Sequence, residues 1–168
     1  MKIKFLSDKA IAPRLATGGA VAYDLYVPKD TVIHKGRQIV PLDFAIEIPE
    51  GYEAKIEPRS GFSSKGMEGY QVVVGQKLTD GQVIEGRYCN LESSRFDADV
   101  LVGKIDWDYR GNVGVIVKSY EDEDFLIKAG TRIAQMTFYQ IFAWDLEEVA
   151  ELSETDRGEG GFGSTGTK

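Results

Sequence analysis

Apolar and polar residues alternate along most of this chain in short bursts. The runs AIEI at 45–48, YEAKIEP at 52–58, YQVVV at 70–74, VLVGKI at 100–105, VGVIVKS at 113–119 and MTFYQIF at 136–142 are rich in β-branched and aromatic residues. Clusters of Gly, Pro and Asp separate them. Successive side chains of a strand point to opposite faces, so such runs fit strands with one buried face, and the Gly, Pro and Asp clusters fit tight connections. No long i, i+3, i+4, i+7 pattern is present; only SSKGM at 63–67 leaves room for a helical turn or two. The pattern predicts an all-β chain, a sandwich or a barrel.

At 168 residues the chain supports one full core and is short for two. We expect a single β domain over 1–155, followed by a Gly-rich arm at 156–168, DRGEGGFGSTGTK. Glycines let such an arm bend closely around an anion, and its one phenylalanine offers a face to a flat ring. A frayed chain end has the same composition, so the arm alone decides nothing. The acidic run at 121–124 falls between two strand signals and reads as a solvated hairpin turn. His34 reads as a surface residue, and Trp107 and Trp144 as packing residues.

Composition narrows the function. A net charge of −7 argues against binding a nucleic-acid polymer, which is held mainly by a basic surface. A small phosphorylated ligand stays open, because screening over about 8 Å lets a few local arginines govern one pocket. No apolar run has membrane-spanning length, and the basic start MKIKF is followed by no signal-peptide core, so a cytoplasmic protein is expected. A lone Cys89 forms no internal disulfide, and with His34 as the one imidazole a zinc site of the usual Cys/His kind cannot be built. A metal would be held by oxygen or arrive with the substrate.

Three stretches carry more chemistry than turns require. GKIDWDYRGNVGVIV at 103–117 reads as a hairpin with two carboxylates, a tyrosine and an arginine at its tip, and Gly103 and Gly114 interrupt its strands where a ligand or another backbone comes close. IEPRSGFSSKG at 56–66 places Arg59, Ser60 and Gly61 after a strand and a proline, combining a guanidinium, a hydroxyl and an unobstructed amide suited to phosphate. AGTRIAQMTFYQ at 129–140 sets Arg132 and Gln135 around a strand start. Each string alone is weak.

Together and in this order they resemble a known family. AYDLY at 22–26, PRSGFSSK at 58–65, GKIDWDYRGNVGVIV at 103–117, GTRIAQM at 130–136 and RGEGGFGSTG at 157–166 are similar to the five ordered motifs of the trimeric dUTPases, the deoxyuridine triphosphate nucleotidohydrolases. The resemblance implies a distorted β-barrel of jelly-roll type and a homotrimer whose active sites each borrow residues from neighbouring chains. It implies that dUTP and water give dUMP and pyrophosphate, with Mg²⁺ carried on the triphosphate and no direct protein ligand. Asp106 would activate the attacking water, and Tyr109 would lie against the deoxyribose. Backbone around Gly103 and Gly114 would read the uracil edge. Arg59, Ser60 and Gly61 would hold the phosphates and Gln135 would add a polar contact, with Asp24 and Arg132 in support, Asp24 holding water around the magnesium. In the arm, Arg157 would bind the γ-phosphate, Phe162 would stack on the uracil, and Gly163, Ser164 and Thr165 would wrap the terminal phosphates.

Two departures stand out. Ala22 replaces the glycine usual before the Tyr-Asp pair, a small change. Between the second and third motifs lie roughly thirty extra residues, about 69–98, too many for a plain loop, and their alternation suggests an added hairpin. That insertion reads either as surface decoration or as a docking surface for a protein partner or a cap on the trimer. Two rival readings follow: a regulatory protein on the same fold that uses the insertion, and a dCTP deaminase, which would lack the D-x-D-Y-R-G turn and the aromatic fifth motif.

Overall fold

The computed structural model describes residues 1–79 and 82–161. In chain order the first elements are β1 (Lys2–Phe5), β2 (Arg14–Leu15), β3 (Tyr23–Tyr26), β4 (Thr31–Ile33), β5 (Gly36–Pro41), β6 (Phe44–Glu47), β7 (Tyr52–Glu57) and a short helix, α1 (Ser60–Lys65). Then come β8 (Met67–Thr79), β9 (Gln82–Cys89), β10 (Ser94–Phe96), β11 (Ala98–Leu101), β12 (Gly103–Ile105), β13 (Gly114–Ser119), β14 (Phe125–Ile127) and β15 (Arg132–Gln140). Every expected strand run overlaps at least one strand, and SSKGM overlaps the end of α1.

Side-chain alternation explains how these strands make a core. In β13, Val115, Val117 and Ser119 are buried while Gly114, Ile116 and Lys118 are partly exposed, the period-two pattern of a strand with one covered face. β14 is buried at all three positions because it runs between β4 and β8 under other layers. The ladders β12–β7–β15–β3–β2, β11–β13–β5, β10–β8–β14–β4 and β1–β6 are all antiparallel and curl around one core that includes Leu25, Phe44, Phe125 and Ile133. Burying each such side chain contributes about 1.5–3 kcal/mol.

The extra segment begins as part of this barrel and then leaves it. The first residues of β8 pair with β10 and β14, and the Phe96 ring stacks on Phe125 at 4.3 Å between centroids. From Val72↔Cys89 to Thr79↔Gln82, β8 pairs with β9, a ribbon about 25 Å long. The expected added hairpin is therefore present, and its base is core structure.

Three expectations need correction. The acidic run is no hairpin turn, because β13 and β14 belong to different sheets. It is a tie between them and the ribbon: Glu121 accepts from the Asp97 N–H at 2.6 Å, Asp122 pairs with Lys35, and Asp124 pairs with His34 and Arg87. Neither tryptophan packs in the core: Trp107 rides the tip of the 103–117 loop and Trp144 stands 80% exposed beyond the last strand. Finally, VLVGKI is not one strand. It breaks at Val102, where β11 stays with β13 while β12 turns away to pair with β7.

Candidate active site

That break builds the first recess. β11 and β13 run together as far as Leu101↔Ile116, then β12 diverges, with Gly103 facing Ile56 of β7 and Gly114 facing Pro41 of β5. The gap is a recess of 340 Å³ lined by Gly103, Asp106, Tyr109, Asn112 and Gly114, with Ile39 of β5 at its wall. A Cβ at Gly103 would meet nothing within 4 Å, so the space beside that backbone is open. Gly114 differs: a Cβ there would lie 2.6 Å from the Ile39 side chain, so this glycine accommodates a neighbouring strand. Each of the two alternatives for a strand glycine, ligand space or close packing, is thus realised once.

The loop tip is fixed by its own polar groups. The Tyr109 N–H donates to the Asp106 carbonyl at 3.1 Å, and the Arg110 guanidinium donates to the carbonyls of Trp107 at 2.7 Å and Tyr109 at 3.0 Å. The Tyr109 hydroxyl donates to the Asn112 carbonyl at 3.1 Å, which folds the ring over Gly111, where a Cβ would collide with the hydroxyl. Behind the loop, Val113 exchanges backbone bonds with Leu42 and Phe44 around Asp43, a non-glycine residue held at φ 58° with its carboxylate bonded by Ser7 at 3.1 Å. Asp106 itself is exposed to water at the mouth. Beside it in the ladder, Lys104 donates to Glu53 at 2.7 Å and holds that carboxyl below its usual range.

A second recess, of 420 Å³, opens around α1 and the start of β15. Arg59 precedes the helix, and Ser60 and Gly61 open it, where the first backbone N–H groups have no intrahelical partner. The buried Asp24 accepts from Arg59 Nε at 2.8 Å and from Arg132 Nη1 at 3.1 Å, so one carboxylate orients two guanidiniums. The ladder register shifts between Arg132 and Ala134, which re-aims the strand end. Gln135 lies opposite both Asp24 and Glu57 and joins the same group. Lys65 and Arg95 also line this recess. Among the described residues no three acidic, histidine or cysteine side chains converge as a metal site. Asp24, both oxygens engaged by arginines, suits a support role.

The structure joins some expected residues and separates others. Gly103, Asp106, Tyr109 and Gly114 share the first recess; Arg59, Gly61 and Arg132 line the second, with Ser60 between the first two in sequence, and Asp24 and Gln135 adjoin. The two groups lie far apart on one chain. Ile105 faces Ala54, which sets Asp106 near Glu53 at one end of β7, whereas Arg59 follows the other end. Six residues of extended chain span roughly 20 Å. Arg157 reaches neither recess: its Nε donates to the Gly160 carbonyl at 2.7 Å within a local turn. Phe162, Gly163, Ser164 and Thr165 lie outside the described residues. Asn112 stood within a quoted motif and could have been chosen from sequence. The same holds for Lys65, which ends the PRSGFSSK string and α1, whereas Ile39 and Arg95 could not be chosen so, because only the topology brings them to the recesses.

Fold and recesses together define a curled, jelly-roll-like all-β protein with an open, carboxylate-bearing slot at one place and a cationic cleft at another. A family profile described as dUTPase matches residues 8–84 and 92–166. The unmatched stretch, 85–91, falls inside the extra segment. The deoxyuridine 5'-triphosphate nucleotidohydrolase of Oryza sativa subsp. japonica is 38% identical over 167 residues, 99% of this chain and 80% of that protein. The protein of the same name from Syntrophotalea carbinolica is 37% identical, over 99% and 96% of the two chains. A Staphylococcus bacteriophage 80alpha dUTPase solved with dUPNHPP matches with a TM-score of 0.75 and 26% identity, covering 98% of this chain and 97% of that one; it is described as one of the phage dUTPases that control transfer of virulence genes. This chain belongs to the dUTPase family of nucleotide hydrolases.

Proposed function

We propose that the protein hydrolyses dUTP to dUMP and pyrophosphate at sites shared between neighbouring copies in a homotrimer. The observation that carries this is the first recess, where open space beside Gly103 meets the exposed Asp106 carboxylate and the folded-back Tyr109 ring. A uracil entering beside Gly103 meets strand backbone with no side chain between, and its donor and acceptor pattern pairs with peptide groups. Cytosine reverses that pattern and leaves buried polar groups unpaired, at about 1–3 kcal/mol each. Tyr109 packs against the sugar and leaves no room for a 2′-hydroxyl.

The substrate is the Mg²⁺ complex of dUTP, with the ion on the phosphates. Asp106 accepts a proton from water as its oxygen attacks the α-phosphorus in line. The new P–O bond forms as the bond from the α-phosphorus to the bridging oxygen breaks, and pyrophosphate leaves with that electron pair. Arg59, the N–H groups at Ser60 and Gly61, and Gln135 bind the charge on the phosphates, Arg132 and Asp24 orienting Arg59. The arm at 156–168 closes over the site, Arg157 on the γ-phosphate and Phe162 on the base, and excludes water.

The separation of roughly 20 Å between Asp106 and Arg59 supports sharing, since a triphosphate cannot reach from one to the other on the same chain. The segment between β15 and the arm points the same way: Phe142, Trp144, Leu146, Val149 and Leu152 are exposed on a single chain, an apolar series that a neighbouring copy would cover. The test is pyrophosphate release with Mg²⁺ from dUTP, dCTP, dTTP and UTP in parallel. Release from dUTP alone, giving dUMP, is expected; release from none overturns the reading.

A second reading rests on the β8–β9 ribbon, which projects past the barrel with Val74 83% exposed and is suited to docking a protein partner as a regulatory surface. Pull-downs with the whole chain and with 73–88 replaced by two glycines decide it; identical partners would remove the idea.

A further inference from the structure

The cationic cleft holds a side chain, Arg95, that neither the family motifs nor the reaction has used. Besides Arg59 and Arg132, Arg95 and Lys65 line it, so four cations face one recess with Glu68 as the one acidic residue of the lining, in a chain of net charge −7. Arg95 comes from β10 in the extra segment, and its place is fixed by packing. Gly66 ends α1 at φ 75°, and a Cβ there would lie 2.5 Å from the Phe96 carbonyl, so the glycine lets β10 close against the helix end. Phe96, stacked on Phe125, anchors the strand from its other face. Arg95 therefore projects from a rigid base.

Its present partners are weak and replaceable. Arg95 Nη1 donates to the Gly66 carbonyl at 3.3 Å, and Nη2 lies 3.2 Å from Glu68, both side chains about half exposed. Glu68 is also bonded by Ser93 at 3.2 Å. Lys65 makes no ion pair among the described residues, and Arg59 bonds Asp24 through Nε and not through its terminal nitrogens. A polyanion entering the cleft offers Arg95 a bidentate partner of higher charge than Glu68 does.

We propose that Arg95, with Lys65 beside it, binds the terminal phosphates of the nucleoside triphosphate, and that Glu68 holds Arg95 until the substrate displaces it. The extra segment thereby contributes to the site directly, apart from any role of its projecting ribbon. The inference rests on the proposed dUTP reaction for the identity of the ligand, and on the cleft alone for its anionic class.

The test compares Arg95→Gln, Arg95→Lys and Glu68→Gln with the wild type. Arg95→Gln should raise KM for dUTP about tenfold with kcat within about twofold, and Arg95→Lys should fall between. Glu68→Gln should lower KM, an opposite sign that a purely structural Arg95–Glu68 pair would not give. Calorimetric titration of each full-length variant with inorganic pyrophosphate supplies a reading without turnover: Arg95→Gln should weaken it about tenfold, whereas dUMP affinity should stay unchanged. If the wild type hydrolyses dUTP but Arg95→Gln matches it in KM and in the pyrophosphate titration, Arg95 has no such role and the reaction stands. If Glu68→Gln raises KM along with Arg95→Gln, the pair is structural and the proposal falls. If the wild type does not hydrolyse dUTP, the reaction falls, and the pyrophosphate titration alone judges Arg95.

Discussion

Asp106 is exposed at the mouth of a recess whose floor is strand backbone, and its partners in the loop are backbone bonds that survive a change of side chain. Asp106→Asn should therefore keep the fold and bind a non-hydrolysable dUTP analogue normally while kcat falls about 10²–10⁴-fold. Retained turnover would remove it as the base. Gly103 gives a sharper test, because the space beside it is empty: Gly103→Ala should leave the melting temperature unchanged or slightly raised and still weaken nucleotide binding about tenfold. A variant that binds normally would mean the base lies elsewhere. Gly111→Ala acts through a neighbour, since its Cβ takes the place of the Tyr109 hydroxyl, and discrimination between dUTP and UTP should drop with the ring displaced.

At the scale of elements, the chain leaves its barrel twice. Past the Ile141 N–H bonded to Gly51, the described hydrogen bonds of the remaining chain join only 155 to 160, so removing 157–168 should leave the melting temperature in place while most turnover is lost. Normal hydrolysis by the truncated chain would refute closure by the arm. Both departures were visible in sequence, the arm as glycine among hydroxyls and the ribbon as surplus alternation, because each is a local pattern. The two halves of the site were visible for the same reason: Arg59 to Gly61 and Gly103 to Gly114 are short strings with their chemistry adjacent. What escaped is set by long-range pairing. Nothing local says that VLVGKI splits at Val102, that the 121–124 run bridges two sheets, or that Arg95 returns to Arg59 across the inserted residues. Those facts follow from which strands pair, and pairing is a property of the closed barrel.

The whole molecule brings two consequences, one of charge and one of assembly. Asp30, Glu47, Glu53 and Asp122 are held below their ordinary values by the amines of Lys128, Lys2, Lys104 and Lys35; at Asp124 the upward push of burial is outweighed by His34 and Arg87. Their stabilisation is complete above about pH 5, past the ordinary carboxylate values, and is lost as pH falls through the lowered folded-state values. Lys35 and Lys128 are held above theirs, so their share is complete below about pH 10 and lost at higher pH. Thermal melts at fixed ionic strength should show a plateau between those limits and a fall on each side. Assembly is tested by mixing two inactive proteins. If Asp106 and Arg59 of one chain serve different sites of an assembly, Asp106→Asn and Arg59→Ala chains, each inactive alone, complement one another. After unfolding and refolding together in equal amounts, a site is intact when its Asp106 comes from an Arg59→Ala chain and its Arg59 from a neighbouring Asp106→Asn chain, which random assembly gives at about one site in four. Recovery of about a quarter of wild-type turnover is therefore expected. A site built within one chain has no such route, since every chain in the mixture lacks one of the two groups, and the refolded mixture would then stay as inactive as its parents.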